Sequence, residues 1–456
     1  MKERDERSRP SRKDGCALLD EVRAEYDLAL RRDLPQVRAY KARWAAAFAR
    51  DELPPERVVD RPHFLGAESY RGMVDDAARF VADLRGLFTA RFGGDPAKAA
   101  AELGMPVLTH PICDRLRGSC EGCETIARPD ILEAGGRGHF LEQNVSSVVA
   151  DYNQKVLLEY YRDHPALRRA AAGLKLEFPS FLDEIPGFFR RNFEGKTVSL
   201  WEALKGTEER RCPTLKKTHE ALARAGIETL HLDEREHPLE VTDEGVRQAG
   251  RRLDVLFRHG VAWELTAKYA AVQPLLDAAI AGKVLLYQSP WEFFESNKCL
   301  LGILSEGAPM PVPSSESALC ALPWTRILGD RETSFEGRPV RLPEFSLARR
   351  RDLVIKKGFS AASCDVLLGA ETEEAAWKRA VEAAVAAGGW VVQEAVRPPK
   401  ETVPVVLGEV ETRETVRVDS LYLLGRTGGG LWCRHCPGSL RARDALYSAG
   451  VVVAAA

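Results

Sequence analysis

Apolar residues recur at helical spacing through the first hundred positions. Leu18, Leu19, Val22, Tyr26 and Leu28 form one set, and Val74, Ala78, Phe80, Val81, Leu84 and Leu87 another. Residues 16–104 are therefore expected to be a helical N-terminal region, a cap or substrate-side unit. The pattern then changes. Residues 128–132 and 139–144 read as two strands joined by a hairpin at Gly135-Gly136. Residues 152–193 return to helical spacing, with breaks expected at Pro179 and Pro186. From Val198 short apolar runs alternate with helical stretches. Strands are expected at 227–232, 253–258 and 283–287, and helices at 214–225 and 275–280, which together predict a small parallel α/β domain. Gly307 to Pro313 is rich in proline and reads as a linker after a short helix at 299–304.

The stretch 351–396 carries the most chemistry. A short β-branched run, Val354-Ile355, ends in Lys356-Lys357-Gly358. A Ser/Ala loop from Phe359 to Cys364 leads to a second apolar run at 366–368. A helix follows, with Thr372 as its expected N-cap and Gly388-Gly389 as its stop. A third strand, Trp390-Val391-Val392, runs into Gln393-Glu394. In such a unit the lysine neutralises phosphate charge, the loop amides cover the phosphates and the last strand offers backbone partners to a nucleobase. Strands are expected beyond it at 403–407, 415–424 and 431–433. Gly428-Gly429-Gly430 reads as a turn, and the residues after it as a small-residue tail.

Two carboxylates and an amide add a second motif. Period-2 alternation puts Glu142 and Asn144 on one face of their strand, with Asp130 on the neighbouring strand. Oxygen donors of this kind suit a hard cation that takes its remaining ligands from water and phosphate. Solvent-facing polar residues of an antiparallel pair are the other reading.

Composition narrows the partners. With 456 residues, two to four structural units are expected at about 150 residues each. Hydrophobic content of 45% and charged content of 29% are ordinary for a globular chain. A net charge of −2 gives no long-range field for nucleic acid. No apolar run approaches the roughly 18 residues of a membrane helix. Residues 1–15 have no apolar signal core and read as a mixed-charge disordered tail, so the cytoplasm is the expected location.

Taken in order, these pieces resemble the ATP-grasp ligases, specifically the circularly permuted group that includes glutathionylspermidine-synthase-like carboxylate–amine ligases. Glu142-Gln143-Asn144 resembles the family's Glu-x-Asn, and Asp130 its upstream carboxylate. Asn297-Lys298, with Ala308-Pro309-Met310-Pro311 after it, resembles the start of the nucleotide domain. Val354-Ile355-Lys356 resembles the phosphate-lysine strand, Val392-Gln393-Glu394 the adenine hinge and Arg434 the arginine near the transferred phosphate, with Arg128 beside it. The resemblance implies an α+β, α/β multidomain chain with the ATP-grasp halves in permuted order. The metal half spans 105–195, a Rossmann-like domain 196–290 and the nucleotide half 291–456. It also implies Mg²⁺ on Asp130, Glu142 and Asn144, and ATP held by Lys298, Lys356, Gly358, Ser360, Ser363, Val392, Gln393 and Glu394. Arg434 and Arg128 would act in catalysis, on a carboxylate and an amine that become an amide. The chain departs from the family pattern in its loop, where Gly358 is followed by Phe359, Ser360, Ala361, Ala362 and Ser363 instead of further glycines. A nucleotide-binding scaffold without turnover and a phosphotransferase are the alternative readings. A homodimer is compatible with all of them.

Cysteine and arginine residues complete the list. Cys120/Cys123 and Cys433/Cys436 are two CxxC pairs, which the permutation would bring to one sheet edge. A Zn²⁺ staple, with His110, Cys113 and His435 as alternative ligands, is one reading. Buried free thiols are the other. Arg258 ends an expected strand of the α/β domain, where it could bind a substrate carboxylate.

Overall fold

A computed structural model of the chain describes residues 12–93, 95–105, 123–145, 151–202, 213–259, 269–287, 292–307, 320–360, 365–440 and 444–454. The architecture is mixed α+β. The expected hairpin forms from Ile126–Ala134 and Arg137–Val145, turning at Gly135 and Gly136, whose φ angles of 60° and 73° are the positive values a tight hairpin requires. It lies within a nine-stranded sheet. The path runs His63–Gly66, Leu446–Ala454, Thr427–Pro437, Val410–Leu424, Ile126–Ala134, Arg137–Val145, Cys320–Ala321, with Glu401–Val406 and Lys175–Glu177 pairing alongside.

The described residues of the 351–396 unit form the three strands and the helix that their pattern predicts, and residues 361–364 of the expected loop lie outside the described residues. Leu353–Lys357, Val366–Leu368 and Trp390–Glu394 join Thr325–Ile327 in a four-stranded antiparallel sheet. Helix Glu374–Ala387 covers it through buried Trp377, Val381 and Ala384. Glu373, not Thr372, occupies the N-cap. The Thr372 hydroxyl instead donates to Leu368 O at 2.8 Å, so it closes the preceding turn.

A parallel sheet of Val198–Glu202, Val255–His259 and Leu285–Tyr287 is packed by helices Pro213–Arg224 and Tyr269–Ile280. Of the strand expected at 227–232, only Leu230 pairs, with Ser199. The run 253–258 divides. Arg251–Leu253 closes an antiparallel meander with Leu239–Thr242 and Gly245–Gln248, and Val255 begins the parallel strand.

The N-terminal region is helical over Arg12–Arg32, Leu34–Arg50, Ala67–Phe92 and Pro96–Leu103. It also contributes His63–Gly66 to the large sheet, parallel to Leu446–Ala454. Tyr26, Tyr40 and Phe48 pack against Tyr160 and His164 in one core cluster, and the Tyr26 hydroxyl lies 3.0 Å from His164 Nδ1. At its base Asp60 accepts from Lys41 Nζ at 2.7 Å, from Val406 N at 2.6 Å and from the Tyr160 hydroxyl.

Three expectations fail for physical reasons. Pro186 lies inside helix Phe181–Phe193 instead of breaking it. Burial of Phe181, Leu182, Ile185, Phe188, Phe189 and Phe193 outweighs a proline penalty of about 3 kcal/mol. Gly428-Gly429-Gly430 is strand, not turn. A Cβ on Gly430 would meet Pro179 O at 2.0 Å, and one on Gly428 would meet the Tyr70 hydroxyl at 2.6 Å, so these glycines permit close packing. The small-residue tail is a buried strand, and a Cβ on Gly450 would already touch Leu65 and Leu431. Among the described residues, no helix is long and apolar enough to cross a membrane.

Candidate active site

Strand pairing brings the two halves of the motif together. Asp130 is in register with Glu142 on one side and Ser420 on the other, and Arg128 with Asn144. Arg434 pairs with Val418, one step along the same face. A cavity of about 780 Å³, including its open mouth, separates this face from the four-stranded sheet. Asp130, Glu142 and Arg434 line one wall, and Lys356, Gln393 and Glu394 the other. Leu132, Val418, Val354 and Leu368 make an apolar slot beside them.

Both carboxylates are ion-paired. Asp130 is 3% exposed, and accepts from the Ser420 hydroxyl at 2.7 Å and from Arg434 Nη2. Arg128 Nε stands 3.8 Å from the same carboxylate. Glu142 Oε2 lies 3.2 Å from Lys298 Nζ. Burial opposes ionisation of Glu142, but Lys298, Lys356 and Arg434 outweigh it and hold the carboxyl below the usual range. Burial likewise disfavours the Arg434 cation, and Asp130 and Glu142 more than compensate. Asn144 Nδ2 donates to Arg128 O at 3.2 Å and lies 3.5 Å from Glu142 Oε1.

The lysines converge from the other side. Lys356 Nζ donates to Gln393 Oε1 at 2.7 Å and to Leu141 O at 3.3 Å. Burial is the main cause that brings its pKa down to about 8, with Glu142 opposing that shift. Lys298 precedes helix Cys299–Ser305 and reaches Ser360 O at 3.4 Å. Asn297 Oδ1 accepts from Cys299 N at 2.8 Å, which fixes the start of that helix. Gly358 is a packing glycine. Its N–H donates to Gly389 O at 2.7 Å, and a Cβ there would stand 2.6 Å from Asn297 Oδ1. Val392 is wholly buried within the sheet, and Glu394 N donates to Trp324 O at 2.8 Å. Ser363 lies outside the described residues.

Other expected ligands do not converge. Cys433 and Cys436 stand three apart on one continuous strand, so the pleat sends them to opposite faces and they cannot share a zinc ion. Among the described residues, no group of three or more His, Cys, Asp or Glu side chains is placed to hold a metal. Cys123 is half-buried, and Cys120, Cys113 and His110 lie outside the described residues. Arg258 is wholly buried in the parallel sheet, in register with Trp201, and does not line the cavity.

Two features had no sequence signal. Ser420 and Thr325 reach the site only because their strands pair beside it. On the opposite face, Ser448 Oγ lies 2.7 Å from His435 Nε2, and His435 Nδ1 lies 2.9 Å from Glu401 Oε1. That connectivity is the one an acyl-transfer triad uses. Ser448 has no exposed surface, so no substrate carbonyl reaches it. Arg417 bonds Glu401, Glu133 and Asp419 beside it, and the network ties strands together.

No protein-family model matches the chain, and no curated protein matches it. Among solved structures, one likeness is to a protein provisionally described as a gamma-glutamylcysteine synthetase from Methylobacillus flagellatus KT. Identity is 12%, the match covers 75% of this chain and 84% of that one, and the TM-score is 0.33. At that distance the likeness carries no argument about fold or chemistry. The functional reading rests on the cavity.

Proposed function

We propose that this protein is an ATP- and Mg²⁺-dependent ligase that joins a carboxylate to an amine through an acyl phosphate. The observation that carries the proposal is the cavity itself. Asp130 and Glu142, already neutralised by Arg434 and Lys298, face Lys356 beside an apolar slot shaped by two sheets. Clustered cations suit phosphate oxygens. The slot suits a flat base stacked against Leu132, Val418, Val354 and Leu368.

The donor set fits Mg²⁺ in chemistry. Glu142 is held ionised, as a ligand must be, and Asp130 and the Asn144 amide oxygen complete a hard oxygen set. Asp130, Glu142 and Asn144 would hold Mg²⁺, which would supply positive charge against the phosphates. Nucleotide binding then exchanges partners within the site. With nucleotide bound, Arg434 and Lys298 would turn from the carboxylates to phosphate oxygens, and Asp130 and Glu142 would be left able to hold the metal.

The reaction follows from positioned charge. A substrate carboxylate oxygen bonds to the γ-phosphorus while the bond to ADP breaks. The amine nitrogen then bonds to the acyl carbon, inorganic phosphate leaves and the ammonium proton passes to solvent. A carboxylate nucleophile needs no general base. Asp130 and Glu142 are ion-paired in the structure and would be metal ligands with nucleotide bound, so neither would be free to deprotonate a hydroxyl, which favours ligation over phosphotransfer to an alcohol. Nucleotide binding without turnover is the second reading, because Gly358 gives its N–H to Gly389 instead of a phosphate.

The test measures ADP and phosphate release with ATP, Mg²⁺ and pooled carboxylic acids and amines. Release that needs both pools supports ligation. ADP without free phosphate, with a hydroxyl acceptor, indicates phosphotransfer. Absence of ATP binding by calorimetry removes the proposal altogether.

Proton linkage offers an independent check. Lys356 titrates near pH 8 in the free protein, and phosphate favours its ammonium form. ATP affinity should be flat below that pH and fall by up to about tenfold per unit above it. Calorimetry in two buffers should show proton uptake on binding near pH 8.5. Affinity unchanged from pH 7 to 9.5 would show that Lys356 does not meet the phosphates.

A further inference from the structure

We infer that Gln393 and Thr325 are positioning residues for Lys356, and that the Gln393 side chain takes no part in reading the nucleobase. The inference rests on the nucleotide-binding reading above and assigns a different task within the same site. Gln393 stands on the strand that reading gives to the base. Its side chain is directed elsewhere.

The polar wiring has one possible direction. An ammonium only donates, so Gln393 must turn Oε1 toward Lys356, and the contact is 2.7 Å. The amide Nε2 is thereby turned the other way, and donates to Thr325 Oγ1 at 3.0 Å. Thr325 has a single hydroxyl hydrogen, which goes to Pro323 O at 2.8 Å. The chain Pro323–Thr325–Gln393–Lys356 therefore leaves the amide no second orientation. Burial makes the arrangement strict, since Thr325 is 0% exposed, Gln393 1% and Lys356 8%. A flipped amide would place Nε2 against the ammonium and leave two buried groups unsatisfied.

Strand register explains why these residues meet. Thr325 is the direct cross-strand partner of Gln393. Gln393 pairs with Val354 on its other side, and Lys356 stands two residues along that strand on the same face. Lys356 has three N–H groups. Gln393 Oε1 and Leu141 O take two of them, and one remains for the cavity that Lys356 lines. The relay thus aims one N–H of a flexible side chain. Base selection falls to main chain and to the apolar walls.

Two ligands separate positioning from base reading: Mg²⁺-ATP and adenosine, which lacks phosphates. Calorimetry on Thr325→Val, nearly isosteric but without the hydroxyl, should show ATP binding weakened about tenfold. Adenosine affinity should stay within about twofold of native. Thr325→Ser should restore ATP binding, which a purely steric role would not require. Gln393→Glu serves as the second variant. It keeps an acceptor toward Lys356 but has no N–H for Thr325 and adds negative charge beside the phosphates, so ATP binding should weaken at least as much as in Thr325→Val while adenosine affinity stays within about twofold of native. Parallel loss of ATP and adenosine in either Thr325→Val or Gln393→Glu overturns the inference, as does native ATP affinity in Thr325→Val. If the native protein binds neither ligand, the nucleotide reading itself fails and this inference falls with it. That outcome is distinct from a native protein that binds both with variants that do not discriminate.

Discussion

Arg434→Met should reduce turnover about a thousandfold while ATP affinity stays within about tenfold of native. The Arg434 guanidinium bonds Asp130 and lies 5.8 Å from the Trp432 ring centroid. In the proposed reaction it moves to the phosphoryl oxygens, where charge develops on transfer. Its contribution is therefore larger in the transition state than in the ground state, and the loss should appear in kcat. A second readout moves the other way. Without Arg434, Asp130 keeps the Ser420 hydroxyl and the more distant Arg128 but loses its close guanidinium, so Mn²⁺ added without nucleotide should bind more tightly than to the native protein. A variant with native turnover would make the Arg434–Asp130 pair a structural contact. Arg434→Lys should recover only part of the rate, since an ammonium does not reproduce the planar fork.

The largest effect on stability is expected at Asp60. Its carboxylate joins three distant parts of the chain, Lys41 on helix Leu34–Arg50, Tyr160 on helix Asp151–Arg162 and the end of strand Glu401–Val406 at Val406 N, while its own backbone N–H donates to Pro404 O on that strand. Lys41 is 6% exposed and Asp60 0%. Asp60→Ala leaves a buried ammonium, a phenol and an amide without their acceptor. Breaking a buried pair from one side costs about 3–5 kcal/mol. Urea unfolding should register a loss of that order, and Lys41→Met in the same background should recover part of it by removing the stranded charge. A loss below about 1 kcal/mol would mean that water replaces the carboxylate.

The hairpin at 126–145 and the unit at 351–396 were legible because their signals are local. Gly135-Gly136 marks a turn between two alternating runs, and the segment ending in Lys356 is bounded by Gly358 and followed by a well-patterned helix. The positions of Asp130, Glu142 and Asn144 on paired strands, and of Lys356 near the end of its strand, were legible for the same reason. What depends on tertiary contact was not. Pro186 reads as a breaker until the stripe of buried phenylalanines is counted against it. Gly428 to Gly430 read as a turn until Tyr70 and Pro179 are seen to press on them. Ser420 and Thr325 carry no motif, and only pairing to Asp130 and Gln393 makes them part of the site. The cysteines misled in the opposite sense. A CxxC spacing suits a turn, and on a strand it separates the two thiols.

The position of Leu446–Ala454 has a consequence for how the protein is made. This strand lies between residues near 63 and residues near 430, one strand in from the edge of the large sheet. Hairpins such as 126–145 can form while the chain is being synthesised. His63–Gly66 cannot find its partner until nearly four hundred further residues have been translated. Until then Phe64, which is 1% exposed in the fold, lacks the strand it pairs beside. Sheet closure is thus a late, long-range event, and the interval before it is when the nascent chain is most open to wrong strand pairing.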